Sequence, residues 1–286
     1  MVSEILRVHD VVGESPSWFE KEKALYWVSI PEGIIHRYDL TADHHDKIQL
    51  SNYVSSISPA SNGKAVITSA NAIYELDYAN NETSLLQQVY PLDSENRLND
   101  AKCDITGRLW VGSMNLKKNE STASLFIFSN TGELFKVLNN LTVSNGITWN
   151  RNTYEFYHID TPSQIVSVFK YSDKNNLIQP LRKLDLSSQV GKPDGMTIDK
   201  QGYLWISMFG GYSVIRCDPY NGDVVDRIEL PTKFVTSCCF GGNNMRTMYI
   251  TTANKPFGDV ISDQRAGSLF AEELSISGEK SHSFKF

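Results

Sequence analysis

Pro193-Asp194-Gly195 leads, through the turn dipeptide Gln201-Gly202, into the apolar run Leu204-Trp205-Ile206. A second strand pattern, Ser213-Val214-Ile215-Arg216-Cys217-Asp218, and a tight turn at Asn221-Gly222-Asp223 complete the unit. β-Branched and aromatic residues of this kind suit a packed pleated surface, and the glycine dipeptides suit hairpin turns. The unit recurs. Its strand starters are Leu25, Ala65, Leu109, Phe156, Leu204 and Met248, at spacings of 40, 44, 47, 48 and 44 residues. That period fits a four-stranded antiparallel blade, and the chain shows no helical periodicity longer than three turns. Six such units predict an all-β, six-bladed β-propeller.

At 286 residues the chain exceeds the usual size of one core, so two domains would be the default. Propellers are the exception, and no linker, low-complexity tract or charge run marks a boundary. Residues 1–286 are therefore expected to form a single propeller domain. A ring must also close, because an open blade leaves an unpaired edge. Ile5-Leu6-Arg7-Val8 is expected to add a strand beside Gly267-Ser268-Leu269-Phe270. The polar segment from Leu116 to Ala123 and the stretch from Asn254 to Ala266 are expected to be loops over one face.

The composition, 41% hydrophobic and 21% charged, is that of a globular protein able to bury a core. A net charge of −6 with no Lys/Arg cluster argues against nucleic acid as a partner. No apolar run approaches the ~20 residues of a membrane span, and the first residues do not form a signal peptide. Cys103, Cys217, Cys238 and Cys239 have no CxxC spacing and are expected to be reduced and buried. These features together predict a cytoplasmic protein, and a closed ring has no evident need of a partner, so a monomer is expected.

Four segments share one phase of the repeat. Glu14 and Asn145 lie eleven residues before their strand starters, and Asn99 and Asp194 lie ten before theirs. The other two units carry small residues there, Val54 or Ser55 and Ser237 or Cys238. Residues at one phase of a ring converge on its axis. Two carboxylates and two amides meeting there would make a hard-cation site. Taken singly, Asn145-Gly146 and Asp194-Gly195 read equally well as hairpin turns, Asn99-Asp100 as an Asx turn and Glu14 as a solvated loop charge. The oxygen ligands favour Ca²⁺, Mg²⁺ or Mn²⁺, and the affinity order of divalent ions also admits Zn²⁺. His158 reads as a core or channel-wall histidine and His44-His45 as a solvated loop. No GxSxG, P-loop or HExxH motif is present.

Five segments in order, Gly13-Glu14-Ser15-Pro16, Asn96-Arg97-Leu98-Asn99-Asp100, Ser144-Asn145-Gly146, Lys192-Pro193-Asp194-Gly195-Met196 and Thr236-Ser237-Cys238-Cys239-Phe240-Gly241-Gly242, resemble the regucalcin/gluconolactonase family. This resemblance implies a propeller with one divalent metal in its channel, held by Glu14, Asn145 and Asp194. It implies substrate contacts from Arg97 and Asn99, and hydrolysis of sugar lactones with Asp194 as proton acceptor. The family's acidic substrate residue aligns with Asn119, leaving Glu120 beside it as the candidate contact. The alternatives are a calcium- or ligand-binding propeller without turnover, and an esterase or organophosphate hydrolase on the same fold.

Overall fold

The computed structural model of the chain describes residues 1–254 and 263–286. After β1 (Ser3–Leu6), blade 1 contains β2 (Gly13–Phe19), β3 (Ala24–Ser29), β4 (Ile34–Asp39) and β5 (His44–Gln49). Blade 2 contains β6 (Val54–Pro59), β7 (Ala65–Ser69), β8 (Ala72–Asp77) and β9 (Glu82–Gln88). Blade 3 contains β10 (Asn96–Cys103), β11 (Leu109–Asn115), β12 (Ala123–Phe128) and β13 (Leu134–Leu141). Blade 4 contains β14 (Ser144–Asn150), β15 (Glu155–Asp160), β16 (Ile165–Tyr171) and β17 (Ile178–Asp185). Blade 5 contains β18 (Lys192–Ile198), β19 (Leu204–Phe209), β20 (Ser213–Cys217) and β21 (Val224–Glu229). Blade 6 contains β22 (Val235–Gly241), β23 (Thr247–Thr252) and β24 (Leu269–Glu273).

Each of the six sheets is four-stranded and antiparallel, and β1 supplies the fourth strand of blade 6. The innermost strands β2, β6, β10, β14, β18 and β22 touch in succession, and β22 returns to β2, so the ring is closed. The expected six-bladed propeller is therefore the fold. The six strand starters all fall in the second strand of a blade. These strands are buried on both faces, which is why they read as apolar runs. Their side chains fill the spaces between blades; Tyr157, Ile159 and Val166 of blade 4, for example, pack with Met196, Ile206 and Ile215 of blade 5. Each such buried aliphatic side chain contributes about 1.5–3 kcal/mol.

Closure occurs where expected, with the pairing two residues earlier: Ser3 opposes Ala271 and Glu4 opposes Phe270. Val2, Ile5, Leu6 and Val8 pack on the blade 6 core. Deleting residues 1–9 is expected to cost about 2–5 kcal/mol and to lower a single cooperative melting transition. A deletion variant that melts like the full chain would contradict this account of closure.

The segment after β24 crosses the face of the ring that carries the hairpins. The Gly278 N–H donates to Met245 O (2.8 Å), Glu279 N–H to Ile198 O (3.1 Å), Phe284 N–H to Pro59 O (2.8 Å) and Lys285 N–H to Gly107 O (3.0 Å). Blades 6, 5, 2 and 3 are thus laced together. Phe284 is buried and stacks on Phe128. The opposite face carries the connections between blades and the loop between β11 and β12. The other expected loop, Asn254–Ala266, lies largely outside the described residues.

Three blades share a buried device. Trp27 Nε1 donates to Asp10 Oδ2 (2.8 Å), Trp110 Nε1 to Asp104 Oδ2 (2.8 Å) and Trp205 Nε1 to Asp199 Oδ2 (3.0 Å). A cationic or titratable partner completes each: His36, Arg108 and Arg216. Of the pair expected in a solvated loop, His44 is exposed and bonds Asp46, whereas His45 belongs to this architecture. Both lie in β5, and His45 stacks on Trp27 and bonds His36 (His45 Nε2 to His36 Nδ1, 2.9 Å). The four cysteines are free and buried, as expected. Among the described residues, no helix is long and apolar enough to cross a membrane.

Candidate active site in the propeller channel

Every innermost strand is bulged at the phase singled out in the sequence. The pairing register shifts between Glu14 and Ser17, Val54 and Ser56, Leu98 and Ala101, Asn145 and Ile147, Pro193 and Met196, and Val235 and Ser237. A bulge breaks the strict alternation of a strand and re-aims a side chain. Here the six bulges fall at one level of the inner strands, and four of them carry Glu14, Asn99, Asn145 and Asp194. The Asn145-Gly146 and Asp194-Gly195 pairs are therefore strand residues, not hairpin turns.

Their glycines have a different purpose. A Cβ on Gly195 would lie 2.1 Å from Ser237 Oγ and 2.7 Å from its Cα, and one on Gly146 would lie 2.7 Å from Asp194 O. The inner strands of blades 4, 5 and 6 approach too closely for side chains at those points. Close approach is what brings Asn145 and Asp194 together.

Glu14, Asn99, Asp100, Asn145 and Asp194 are all buried. A chain of hydrogen bonds links Arg97, Asn99, Asn145 and Thr161 across blades 3, 4 and 5. Arg97 Nη1 donates to Leu98 O (2.7 Å) and Asn99 Oδ1 (3.0 Å). Asn99 Nδ2 donates to Ser144 O (3.0 Å) and Asn145 Oδ1 (2.7 Å). Asn145 Nδ2 donates to Thr161 Oγ1 (2.9 Å), and Thr161 Oγ1 donates to Pro193 O (2.9 Å), beside Asp194. Thr161 opens a 3₁₀ turn, Thr161–Ser163, between β15 and β16.

The electrostatics of the site are strained. Burial raises the Glu14 carboxyl well above its usual range, and the nearby Asp194 and Asp100 raise it further. Burial likewise raises Asp194, with Asp100 adding to it, while Lys118 and Asn145 act in the opposite sense. Asp100 is pushed up to about 6 by burial. Lys102 partly offsets Asp100, and its Nζ reaches across the channel to Met196 O (2.8 Å). Below that bridge, a cavity of about 70 Å³ is lined by Lys102, Cys238, Cys239 and His282. His158, hydrogen-bonded to Ser144 Oγ (2.7 Å), is pushed down to about 3 by burial. It is a neutral wall residue, as its sequence context suggested.

Asp194 Oδ1 is buried and has no hydrogen-bond partner. An orphaned carboxylate oxygen beside a second buried carboxylate is costly unless a cation completes it. The donor set is all oxygen: carboxylates from Glu14 and Asp194 and an amide from Asn145. It fits a hard divalent ion. Among the described residues, no group of three His, Cys, Asp or Glu side chains is arranged to hold a metal, and the candidate set here has two carboxylates and one amide.

Of the residues singled out in the sequence, Glu14, Arg97, Asn99, Asn145 and Asp194 come together. Glu120 does not join them: it is exposed, and the charge it acts on is that of Lys117, on the outside of the loop. Lys118, in the same loop, is exposed as well. Partial desolvation lowers its ammonium, Arg97 lowers it further, and Asp194 raises it. Thr161 and Lys102 escaped sequence reading, and Asp100 entered it only as the neighbour of Asn99.

Residues 12–254 match the SMP-30/Gluconolactonase/LRE-like region, and the chain belongs to that family. The relatives include the Bacillus subtilis protein named "Putative sugar lactone lactonase YvrE". It is 33% identical over 273 residues, covering 94% of this chain and 93% of the relative. Regucalcin from Bos taurus is 31% identical over 280 residues, covering 93% and 92%. Among solved structures, a luciferin-regenerating enzyme superposes with a TM-score of 0.94 at 26% identity, covering 100% of this chain and 99% of that one.

Proposed function

We propose that this protein is a metal-dependent hydrolase that opens sugar lactones. The observation that carries the reading is the unpartnered, buried Asp194 Oδ1 beside the raised Glu14 carboxyl, at the narrow axis of the ring. Membership of the gluconolactonase family and likeness to a named sugar lactone lactonase support the choice of substrate.

Glu14, Asn145 and Asp194 would hold a divalent ion, which when bound polarises a lactone carbonyl and balances the negative charge that grows on its oxygen. Asp194 takes the proton from the attacking water at its carboxylate, because that is the buried acceptor with unused capacity. Metal ligation depresses its basicity, and burial offsets that by favouring the protonated form. Arg97 and Asn99 orient the ring hydroxyls or the ester oxygen, their own positions fixed by the bonds to Leu98 O, Ser144 O and Asn145 Oδ1. Lys102 and Asp100 wall off the lower channel, so substrate and water enter from the face that carries the β11–β12 loop.

Metal-stripped protein, assayed for proton release from glucono-δ-lactone, is expected to be inactive. Adding back Ca²⁺, Mg²⁺, Mn²⁺ or Zn²⁺ is expected to restore turnover to an extent that ranks the four ions. Binding of an ion without turnover, across a panel of lactones and esters, would overturn the hydrolase reading in favour of a calcium- or ligand-binding propeller.

A further inference from the structure

Resting on the metal-dependent reading above, we infer that Thr161 is a positioning residue of the site. Its hydroxyl fixes which way round the Asn145 amide sits and ties Asn145 to the segment that carries Asp194. The turn that bears it is pinned to blade 4. Thr161 N–H donates to Val143 O (3.1 Å) and Gln164 N–H to Thr161 O (3.2 Å). Asp160, just before the turn, accepts Val143 N–H at Oδ1 (2.8 Å), and Ser163 Oγ donates to Asp160 O (2.7 Å). Pro162 restricts φ inside the turn, and Gln164 closes it in the left-handed region (φ 57°). Thr161 is half-buried there, and its hydroxyl bridges the inner strands β14 and β18.

The polarity of the network follows from groups that can act in only one sense. Pro193 O can only accept, so it takes the one proton of the Thr161 hydroxyl (2.9 Å). The Thr161 oxygen is left to accept, and it takes an Asn145 Nδ2 proton (2.9 Å). From the other end, Arg97 can only donate and Ser144 O can only accept. They set Asn99 with Oδ1 toward the guanidinium and Nδ2 toward blade 4. Asn99 Nδ2 therefore needs an acceptor from Asn145 and meets Oδ1 (2.7 Å). Both ends require the same orientation. A flipped Asn145 amide would set its Nδ2 against Asn99 Nδ2, and would leave Asn145 Oδ1 and Pro193 O competing for one hydroxyl proton. Orientation matters because only the oxygen of an amide can ligate a hard cation. Removing the hydroxyl takes a partner from Asn145 Nδ2 and from Pro193 O, and Asp194 follows Pro193 directly. A group that holds a ligand in this way tunes the ion without touching it.

The test uses the full chain, stripped of metal, as wild type, Thr161→Val and Thr161→Ser. Valine keeps the branching and removes the hydroxyl, and serine keeps the hydroxyl. In calorimetric titration with Mn²⁺, affinity is expected to fall roughly 10–100-fold in Thr161→Val and to be largely restored in Thr161→Ser. On an Asn145→Ala background, Thr161→Val should weaken Mn²⁺ binding much less, because the ligand it acts on is gone. Glucono-δ-lactone turnover by Thr161→Val at limiting Mn²⁺ should fall in parallel, and excess Mn²⁺ should recover part of it. Wild-type Mn²⁺ affinity in Thr161→Val would overturn this inference and leave the lactonase reading standing. A wild type that binds none of Ca²⁺, Mg²⁺, Mn²⁺ and Zn²⁺ would overturn the metal-dependent reading and this inference with it. NMR of the metal-free protein tests the amide by itself. The Asn145 Nδ2 protons, assigned by their loss in Asn145→Ala, should exchange with solvent faster in Thr161→Val than in wild type or Thr161→Ser. Equal exchange in all three would show that Thr161 does not hold the amide and would overturn the inference. Cooperative melting of each metal-free variant verifies that it is folded.

Discussion

Replacing Asp194 with Ala is expected to remove turnover, by on the order of 10³-fold or more, and to abolish divalent-ion binding in the same protein. The two losses go together because one carboxylate is assigned both roles. Asp194→Asn separates them: an amide oxygen can still ligate weakly but cannot take a proton, so residual metal binding with no turnover is the expected pattern. The metal-free Asp194→Ala protein should also be more stable than metal-free wild type at neutral pH. The sign follows from the raised carboxyl of Asp194 in the fold. A carboxyl raised by folding costs stability when it must be ionised, and that cost disappears once the pH is low enough to protonate it in the unfolded chain too. The stability advantage of the variant should therefore fade on acidification through the carboxylate range, and saturating metal should reverse it. Turnover by Asp194→Ala at even a tenth of the wild-type rate would refute the mechanism.

The second large effect is structural and lies far from the channel mouth. Asp199→Ala is expected to cost about 3–5 kcal/mol and to lower the melting temperature by on the order of 10 °C. Asp199 is buried, and its Oδ2 receives both Trp205 Nε1 (3.0 Å) and Arg216 Nε (2.8 Å). Truncation strands a buried indole N–H and a buried guanidinium together, which is why the loss exceeds that of an ordinary surface ion pair. Asp199→Asn keeps an acceptor for the indole and should lose clearly less. Thermal denaturation of the two variants checks the ordering; a melting temperature for Asp199→Ala within 2–3 °C of wild type, that is within about 1 kcal/mol, would show that the pairing is dispensable.

The parts of the fold that were legible share one property: they are buried on both faces. The second strand of each blade presents an uninterrupted apolar run, so Leu25, Leu109 and Leu204 stood out. The outermost strands leave no such mark, because β5, β9 and β13 contain no fully buried residue. His44-His45 was read as a loop for that reason. The Asp–Trp pairing left a trace in two blades, six residues apart in Asp104/Trp110 and Asp199/Trp205, but seventeen apart in Asp10/Trp27. At the site, phase alone gathered Glu14, Asn99, Asn145 and Asp194, since the ring converts position in a repeat into distance from an axis. Local chemistry could not distinguish an Asn-Gly turn from an Asn-Gly bulge. That distinction depends on Ser237 and Ile159, neither of them adjacent in sequence. The β11–β12 loop was beyond counting residues, because it is exposed and turns through a left-handed backbone at Lys118.

The pairing of Ser3–Leu6 with Leu269–Glu273 sets a timetable for synthesis. A chain emerging from the ribosome can assemble blades 1 to 5 one after another, each from neighbouring residues. The first strand must wait, unpaired, until the last blade is translated. Over that interval the nascent molecule is an open arc with an uncovered apolar blade face at each end, the condition under which one chain can capture another. Slow translation through blade 6, or a nascent chain stalled before Leu269, is where this protein would pass from folding to aggregation.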